Sequence, residues 1–347
     1  MQNSDLPGIK GPAGIRRKLI RVSDESLVTA ERLQPETALP LVIQPRVPTV
    51  SLTGWAASNR ELIETKLASH GAILFRNFNP IGITEFEQLI ESACGTLLDY
   101  SYRSTPRTQV SGRIYTSTEY PARQFIPLHN EMSYSRSWPM RICFFCVEPA
   151  EQGGETPIAD SRKVFERIPP AIRERFAEKG LLYVRNYGEG MDLSWEDVFQ
   201  TSDKAEVEQY CHDSGIEFEW SDGNRLSTRQ LCQAVAAHPK TREMVWFNQA
   251  HLFHISSLQT EVADALLSTL DAKELPRNVY YGDGSAIESS VLDEIRGIYD
   301  RESVVFSWQQ GDVLMLDNML TAHGRRPYSG SRKVLVGMAE PFTNGSF

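Results

Sequence analysis

Three side chains of the kinds that bind metal ions stand out in the sequence, two of them close together. His129 and Glu131 are separated by one residue and follow a short apolar run. In an extended backbone, residues two apart point to the same side, so this imidazole and this carboxylate would reach one ion together. The third ligand must come from elsewhere in the chain, and the candidate is His323, which follows the apolar run 313–316.

Two imidazoles and one carboxylate on one face of an ion are the donor set of non-haem iron(II) oxygenases. Three coordination positions stay open in such a site, so iron binds a bidentate oxo-acid and dioxygen at the same time. The His-x-Glu pair alone is a weak signal, because a chain with seven histidines shows such pairs by chance. A hydrogen-bonded loop histidine is therefore the alternative interpretation of His129.

Short apolar or alternating segments surround these residues and recur from about residue 109, with Gly, Pro and Asn between them. They predict strands at residues 72–75, 112–116, 140–147, 156–159, 181–186, 244–248, 303–308, 313–317 and 333–338. Apolar residues at helical spacing predict helices at residues 61–69, 83–90, 164–179, 194–212, 260–272 and 288–301. Short strands with helical inserts favour a mainly β chain, built as one β-sandwich or jelly roll with a helical coat.

The domain organisation predicted from this pattern is simple. Residues 1–50 are rich in Pro, Arg and Glu and show weak periodicity, so we predict an irregular N-terminal arm. Residues 51–347 are predicted to form a single domain, with helical inserts near residues 160–240 and 260–301. We find no internal repeat and no low-complexity tract in the sequence.

Charge and hydropathy narrow the classes of partner. The formal net charge is −9, and an acidic surface repels phosphate backbones, so a nucleic-acid partner is not expected. No run of about 18 apolar residues occurs, so no membrane-spanning helix is expected. The polar N-terminus lacks an apolar signal region, and the cytoplasm is the expected compartment.

The five cysteines do not suggest a disulfide framework, because their number is odd and the chain is long. Cys143 and Cys146 form a Cys-x-x-Cys within a run of strand-forming residues. In a strand, residues three apart point to opposite faces. We therefore predict two packed thiols here, and not a redox or zinc pair.

Four blocks of the sequence, in order, resemble the taurine dioxygenase-like family of iron(II)- and 2-oxoglutarate-dependent oxygenases. One is Pro-Leu-His-Asn-Glu-Met, which contains the first metal pair, and another ends in Ala-His-Gly-Arg, which contains the distal histidine. A chance match of four ordered blocks is very improbable, and the resemblance covers roughly residues 55–340. The blocks are residues 67–78, 127–132, 148–157 and 308–325.

The resemblance implies a double-stranded β-helix (jelly-roll) core flanked by helices. It implies that His129, Glu131 and His323 bind iron(II), with 2-oxoglutarate and dioxygen as co-substrates. By position, Thr156 corresponds to the threonine whose hydroxyl helps to bind the distal carboxylate of 2-oxoglutarate. No catalytic residue beyond the metal centre is implied, because the metal carries the electrons and the protein positions the C–H bond. A zinc hydrolase is disfavoured, because zinc sites seldom accompany the Gly-Gly-Glu-Thr segment found here at residues 153–156.

A carboxylate buried in a β-barrel needs a guanidinium partner. In the family this arginine follows the distal histidine on the last core strand, and here the candidates are Arg325, Arg326 and Arg332. Arg332 directly precedes the predicted strand 333–338, so we predict that it binds the distal carboxylate, with Arg326 as the alternative. Its spacing from His323 is shorter than in taurine dioxygenase itself.

One departure from the family pattern is informative. The family usually has Asp in the metal pair, whereas this chain has Glu131. Clavaminate synthase-like members also use Glu, and the related halogenases have Ala or Gly at this position, so halogenation is not expected. The Glu, the preceding Pro-Leu and the terminal His-Gly-Arg resemble hydroxylases of the syringomycin-pathway type. This resemblance predicts hydroxylation of an unactivated C–H bond in an amino-acid-derived or carrier-protein-tethered substrate of specialised metabolism.

Candidate substrate residues are Asn248 and His251, in a loop after a predicted strand, with Tyr115, Phe125 and Arg326. Ordinary hydrogen bonding within the loop is the alternative for Asn248 and His251. Two other functions compete with the hydroxylase. One is a primary-metabolism dioxygenase for a sulfonate, a betaine or an aryloxy acid. The other is a jelly-roll binding protein without activity, which would have no need for all three metal ligands.

Overall fold

A computed structural model describes residues 27–345, apart from residues 80, 101, 103 and 189–191. The strands are β1 (Val28–Arg32), β2 (Leu41–Pro45), β3 (Ala72–Phe75), β4 (Gln109–Ser111), β5 (Ile114–Thr116), β6 (Ile126–His129), β7 (Ser137–Glu148), β8 (Gln152–Gly153), β9 (Ile158–Asp160), β10 (Leu181–Tyr187), β11 (Glu217–Ser221), β12 (Arg225–Cys232), β13 (Val235–Ala237), β14 (Met244–Trp246), β15 (Arg277–Tyr281), β16 (Val313–Asp317), β17 (Thr321–Arg325), β18 (Tyr328–Ser329) and β19 (Lys333–Thr343). The helices are α1 (Leu52–Ser58), α2 (Arg60–His70), α3 (Ile83–Cys94), α4 (Ser161–Arg167), α5 (Pro170–Lys179), α6 (Trp195–Phe199), α7 (Lys204–Ser214), α8 (Ala250–Phe253), α9 (Thr260–Thr269) and α10 (Ser289–Glu302).

The largest sheet contains eight strands in the order β1-β2-β3-β16-β7-β19-β5-β4. Its pairings are antiparallel except that of β2 with β3, which is parallel. In β7, every residue from Trp138 to Cys146 is buried, because both faces of the sheet are covered. Helices α1, α2 and α3 pack on the face that contains Cys143, and Cys146 packs in a separate core on the other face. The prediction of two packed thiols on opposite faces is confirmed, since both cysteines are buried and free.

A three-stranded sheet, in the order β6-β17-β9, lies against the second face of the large sheet. Ile158 of β9 packs in one core with Phe144 of β7 and Val336 of β19. This small sheet carries His129 at the end of β6 and His323 in the middle of β17. The arrangement of the two sheets therefore places both histidines over the interior of the fold.

Helical inserts were predicted near residues 160–240. This region contains helices, but it also contains strands of a second sheet. Strands β11, β12, β10 and β15 form a four-stranded antiparallel sheet. Burial in β12 alternates between the two faces, as expected for a strand with one face on a core. Few of its residues are strongly apolar, and for that reason the hydropathy pattern alone did not reveal it.

Two further sequence predictions need correction. The arm predicted for residues 1–50 is not irregular throughout, because β1 and β2 extend the large sheet and Leu41, Val42 and Ile43 are buried; residues 1–26 lie outside the described residues. The strand predicted at residues 303–308 is absent from the described structure, where Val304 forms only an isolated bridge to Ile158. Its alternating apolar side chains fill the core without pairing in a sheet.

The helix predicted at residues 164–179 is divided into α4 and α5. Pro169 and Pro170 lie at the division, and proline ends a helix because it lacks a backbone N–H and restricts the residue before it. Helices α9 and α10 match their predicted positions closely. Among the described helices, none is long and apolar enough to cross a bilayer.

Candidate metal centre and adjoining cavities

His129 and His323 lie opposite each other on adjacent antiparallel strands, and their Cα atoms are partners in the register of β6 and β17. The centroids of the two imidazole rings are 4.6 Å apart. The register shifts directly after His323, at Gly324. A Cβ atom on Gly324 would lie 2.5 Å from the carbonyl oxygen of Ile126, so only glycine permits the two strands to approach this closely.

Glu131 reaches the same place from a turn. Strand β6 ends at His129, and the turn begins at Glu131, two residues later. The buried amide of Asn318 fixes this turn. The backbone N–H of Glu131 donates to Asn318 Oδ1 at 2.8 Å, and Asn318 Nδ2 donates to the carbonyl oxygens of Glu131 and Pro139 at 2.9 and 2.8 Å.

The side chains of His129, Glu131 and His323 each offer one ligand atom, and these atoms lie within 4.8 Å of one another. His129 Nδ1 donates to the carbonyl oxygen of Pro127 at 2.8 Å, which leaves Nε2 as the acceptor. Among the described residues, Nδ1 of His323 has no hydrogen-bond partner, and Nε2 lies 3.9 Å from Oε2 of Glu131, although the ring is buried. That separation is too long for a hydrogen bond, and a metal ion between these two atoms would bind both. The residues therefore fit a divalent ion.

Electrostatics keep both imidazoles in the form that binds metals. Burial lowers the pKa of His129, although the charge of Glu131 acts in the opposite direction. Burial also lowers the pKa of His323 well below its usual value, and the charges of His129 and Arg107 add to the effect. Both rings are therefore neutral near pH 7, as metal ligation requires.

Two buried side chains hold the carboxylate of Glu131. The hydroxyl of Tyr100 donates to Oε1 at 3.2 Å, and the guanidinium of Arg107 donates to Oε2 at 2.5 Å. Burial, followed by the charge of Glu131, raises the pKa of Tyr100 to about 12, so its hydroxyl stays protonated and donates. Neither residue belongs to a motif that the sequence analysis used.

We expect Asn318→Ala to lower both the stability and the metal affinity of the protein. The substitution leaves the backbone N–H of Glu131 and two buried carbonyl groups without their partner. The loss of three buried hydrogen bonds should lower the free energy of unfolding by about 3 kcal/mol. Denaturant titration would measure the stability, and titration with Mn(II) the metal affinity.

Asn186→Ala is the matched control for this prediction, because the Asn186 amide also bonds two carbonyl groups, at Lys273 and Leu275, and contacts none of the proposed metal ligands. The control should lose stability and keep its Mn(II) affinity. Equal metal affinity in the Asn318→Ala variant and the control would show that Asn318 does not position Glu131.

A narrow cavity on one side of the histidines contains the predicted co-substrate residues Thr156 and Arg332. The hydroxyl of Thr156 accepts a hydrogen bond from the indole N–H of Trp308 at 3.1 Å, so its own proton is available to an anion. Arg332 donates to the carbonyl oxygen of Gly154 and to the hydroxyl of Ser117. Within the part of the chain that the structure describes, no carboxylate forms an ion pair with Arg332. Burial, followed by the charge of Arg325, lowers the pKa of Arg332 to about 10.

The two other arginine candidates have different surroundings. Arg325 also borders the narrow cavity, but its guanidinium donates to the carbonyl oxygens of a single loop, residues 118–124. Arg326 is exposed, and its backbone N–H donates to the carbonyl oxygen of Glu155. Arg326, the alternative partner for the distal carboxylate, therefore lies on the surface.

A second cavity, of about 660 Å³, opens on the other side of His129 and Glu131. Its outer wall includes helix α9, none of whose ten residues is buried. Leu258, Val262 and Leu266 recur every four residues and line the cavity from this wall. Asp192 and Arg277 form an ion pair beside them, with Nε of Arg277 2.7 Å from Oδ2 of Asp192. The cavity thus combines an apolar outer wall with a polar inner end.

Two of the five predicted substrate residues line this cavity. Phe125 is 44% exposed at its rim. His251 lies in its wall, where Nε2 donates to the carbonyl oxygen of Leu128 and the ring stacks on Tyr299. Burial lowers the pKa of His251 to about 3, so the ring is neutral.

The other three substrate candidates line neither of the two cavities. The amide of Asn248 is buried and bonds the carbonyl oxygen of Ala234 and the backbone N–H of Ala250, so it stabilises its own loop. The hydroxyl of Tyr115 accepts from the backbone N–H of Tyr100 within the core, and Arg326 is exposed on the surface. For Asn248, these hydrogen bonds match the alternative interpretation of ordinary hydrogen bonding.

The sequence of this chain matches the family described as taurine catabolism dioxygenase TauD, TfdA family over residues 32–339. It is 43% identical over 279 residues to the dapdiamide synthesis protein DdaC of Enterobacter agglomerans. The aligned region covers 80% of this chain and 85% of that protein. It is also 32% identical over 335 residues to a clavaminate synthase-like protein of Arabidopsis thaliana. That aligned region covers 91% of this chain and 98% of that protein.

Solved structures with a similar fold include PvcB from Pseudomonas aeruginosa, with a TM-score of 0.55, 13% sequence identity, and coverage of 90% of this chain and 91% of that one. PvcB is described as an Fe, alpha-ketoglutarate dependent oxygenase from an isonitrile synthetic pathway. AAD-2, solved with Mn(II) and N-oxalylglycine, has a TM-score of 0.50 at 15% identity and covers 90% of this chain and 96% of that one. At these identities the likeness concerns the fold, which here consists of mixed sheets flanked by helices.

Proposed function

The chain belongs to the TauD/TfdA dioxygenase family and is an iron(II)- and 2-oxoglutarate-dependent oxygenase, and from this premise we propose that it hydroxylates an unactivated C–H bond in a specialised-metabolite pathway. The proposed substrate is an amino-acid derivative or an amino-acid unit tethered to a carrier protein. The observation that carries this choice is the large cavity beside His129 and Glu131. The similarity to a dapdiamide synthesis protein supports the assignment to specialised metabolism.

We propose that His129, Glu131 and His323 hold the iron. When bound, iron supplies the oxidation, in which 2-oxoglutarate is decarboxylated to succinate and carbon dioxide and one oxygen atom of dioxygen enters the substrate C–H bond. The neutral imidazoles and the ionised carboxylate provide the donor set that leaves room for the oxo-acid and dioxygen. The hydrogen bond from His129 to Pro127 fixes the ring orientation and the tautomer.

The proposed site for 2-oxoglutarate is the narrow cavity. Arg332 would bind the distal carboxylate with its guanidinium, and Thr156 would donate its hydroxyl proton to the same group. The Trp308 indole supports this, because it occupies the acceptor side of the Thr156 hydroxyl and directs the proton elsewhere. We further propose that the eight-stranded and three-stranded sheets form the double-stranded β-helix around this cavity.

The dimensions of the large cavity favour an extended substrate. Cavities of roughly 300–1,000 Å³ enclose ligands of drug size, so at about 660 Å³ this one would leave most of its space empty around a small sulfonate or betaine. The apolar stripe Leu258, Val262 and Leu266 would contact the outer part of a longer substrate. Val262 is 46% exposed, so such a contact would bury apolar surface that now faces solvent.

A succinate assay with iron(II), 2-oxoglutarate and dioxygen would test this proposal. The panel would contain free amino acids, their acyl-pantetheine thioesters and dipeptides, together with taurine, betaine and an aryloxyacetic acid. We expect substrate-dependent succinate only with the amino-acid derivatives, and mass spectrometry should show the gain of one oxygen atom. Turnover confined to the small acids would favour a primary-metabolism dioxygenase instead.

A further inference from the structure

Arg107 is a buried cation inside the proposed metal site. Its guanidinium is 2.5 Å from the Glu131 carboxylate, and only 2% of its side chain is exposed. The guanidinium lies over the ring of Tyr100, 4.6 Å from the centroid. Burial alone would lower the pKa of Arg107, but the charge of Glu131 raises it, so the ion pair is retained. Arg107 also lines the narrow cavity, together with Thr156 and Arg332.

A cation beside Glu131 has opposite effects on the binding of a metal ion and on the binding of anionic 2-oxoglutarate. It competes with a metal ion for the Glu131 carboxylate, and it repels any cation placed between Glu131 and the histidines. The same charge attracts an anion in the narrow cavity. In a buried site these interactions are weakly screened by water and salt, so the charge of Arg107 acts on both the metal ion and the anion.

The formal charges show which ligand benefits. Glu131 and Arg107 cancel each other, whereas Arg325 and Arg332, which line the same narrow cavity, add positive charge. Arg107 therefore removes the one negative charge that would otherwise face both ligands. Without Arg107 that charge would strengthen the attraction of the site for a divalent ion and weaken its attraction for dianionic 2-oxoglutarate.

We propose that Arg107 sets the charge of the loaded site so that it favours the dianionic co-substrate at the expense of metal affinity. The proposal depends on the proposed function, because it assigns a role toward the iron and 2-oxoglutarate of that site. Arg107 touches Glu131 and not the substrate, so it is a positioning residue. Its removal should strengthen metal binding and weaken 2-oxoglutarate binding, two effects of opposite sign.

The test uses the full-length protein with Mn(II), which binds the same donors without supporting turnover. Free Mn(II) is measured by electron paramagnetic resonance, and 2-oxoglutarate binding to the Mn(II)-loaded protein by calorimetry. We expect Arg107→Gln to tighten Mn(II) binding about tenfold and to weaken 2-oxoglutarate binding about tenfold, the order expected for one buried charge a few ångströms away. Mn(II) should also raise the melting temperature of this variant more than that of the wild type, because it neutralises the unpaired Glu131.

Three further variants separate charge from structure. Arg107→Lys keeps the charge and should bind both ligands within about threefold of the wild type, because a single guanidinium nitrogen contacts Glu131 and the point charge of an ammonium can replace that contact. Arg107→Met removes the charge and keeps an unbranched side chain over Tyr100, so it serves if the Gln variant does not fold. Tyr100→Phe removes the other hydrogen bond to Glu131 at constant charge, and it should not produce shifts of opposite sign.

The result that supports the proposal is the pair of opposite shifts in a neutral variant and their absence in Arg107→Lys. If the neutral variants bind both ligands more weakly, or bind both as the wild type does, Arg107 is a structural partner of Glu131 and the proposal is wrong. A wild-type protein that binds neither Mn(II) nor 2-oxoglutarate would instead overturn the proposed function, and this result cannot be confused with the first two.

Discussion

Replacing His323 with alanine is expected to abolish both retention of the metal and turnover of 2-oxoglutarate. His323 is one of three proposed ligands, and the remaining His129 and Glu131 would hold a labile ion poorly. Loss of a residue that merely orients a ligand costs about 10–100-fold in metal affinity, so loss of a ligand should cost more than about 100-fold. His129→Ala should have the same effect, because the two rings face each other across paired strands.

Metal content after gel filtration with Mn(II) would measure this effect directly, and succinate release would measure turnover. His254→Ala is the matched control, since His254 lines the large cavity but lies outside the cluster of ligand atoms. The control should keep its metal. A His323→Ala variant with normal metal content and turnover would remove this residue from the site and require a different third ligand.

The cluster of proposed metal ligands was predictable from the sequence, but the way the chain brings these residues together was not. The His-x-Glu spacing and the block that contains His323 identified the three residues, and the structure places their ligand atoms within 4.8 Å of one another. The turn that begins at Glu131 is held by Asn318, which is distant in sequence from Glu131.

Asn318 had a detectable signal, because it lies beside Asp317 in a mostly apolar segment, five residues before His323. A polar residue in a buried segment must be hydrogen-bonded, and this requirement could have indicated a positioning role. Arg107 had no such signal. It belongs to no motif, and its importance depends on a contact with Glu131 that only the tertiary structure creates.

The secondary structure likewise contains elements that the sequence predicted and elements that it did not. Strands with strongly apolar residues, such as β7 and β16, and helices with clear periodicity, such as α3 and α10, were predicted close to their observed bounds. Strand β12 was not, because burial of one face by a neighbouring sheet depends on partners that are distant in sequence. Residues 303–308 have the alternating pattern of a strand but belong to no described sheet. Periodicity alone does not distinguish a strand that has partners from an extended segment that has none.

The two cavities suggest how the proposed reaction is organised around His129, which borders both of them. The co-substrate would enter the narrow cavity, which three arginines line, and the substrate would enter the large cavity, whose outer wall is apolar. The two ligands would therefore meet only at the metal. Recognition of the distal carboxylate is then determined by few residues, and substitutions of Thr156 or Arg332 should affect 2-oxoglutarate without affecting the metal.

Arg332→Lys is expected to weaken 2-oxoglutarate binding by more than about 100-fold, while Arg326→Lys should have little effect. The reason is that Arg332 lies in the narrow cavity beside Thr156 and has no carboxylate partner among the described residues, whereas Arg326 is exposed. Lysine keeps the charge but lacks the planar pair of donors that binds a carboxylate. A buried carboxylate left without its partner costs about 3 kcal/mol or more, which corresponds to the expected loss of affinity.

Anaerobic titration of 2-oxoglutarate into the iron(II)-loaded protein, followed by the visible absorption band of the chelate, would give both affinities. Thr156→Val provides an intermediate case, because it removes one hydrogen bond to a charged group and should cost only about 1–2 kcal/mol. The expected order of affinity is therefore Arg326→Lys above Thr156→Val above Arg332→Lys. A severe effect of Arg326→Lys combined with a mild effect of Arg332→Lys would assign the carboxylate to the other arginine. The proposed metal ligands would be unaffected by that result, because they depend on β6, β17 and the Glu131 turn and not on the segment that carries Arg332.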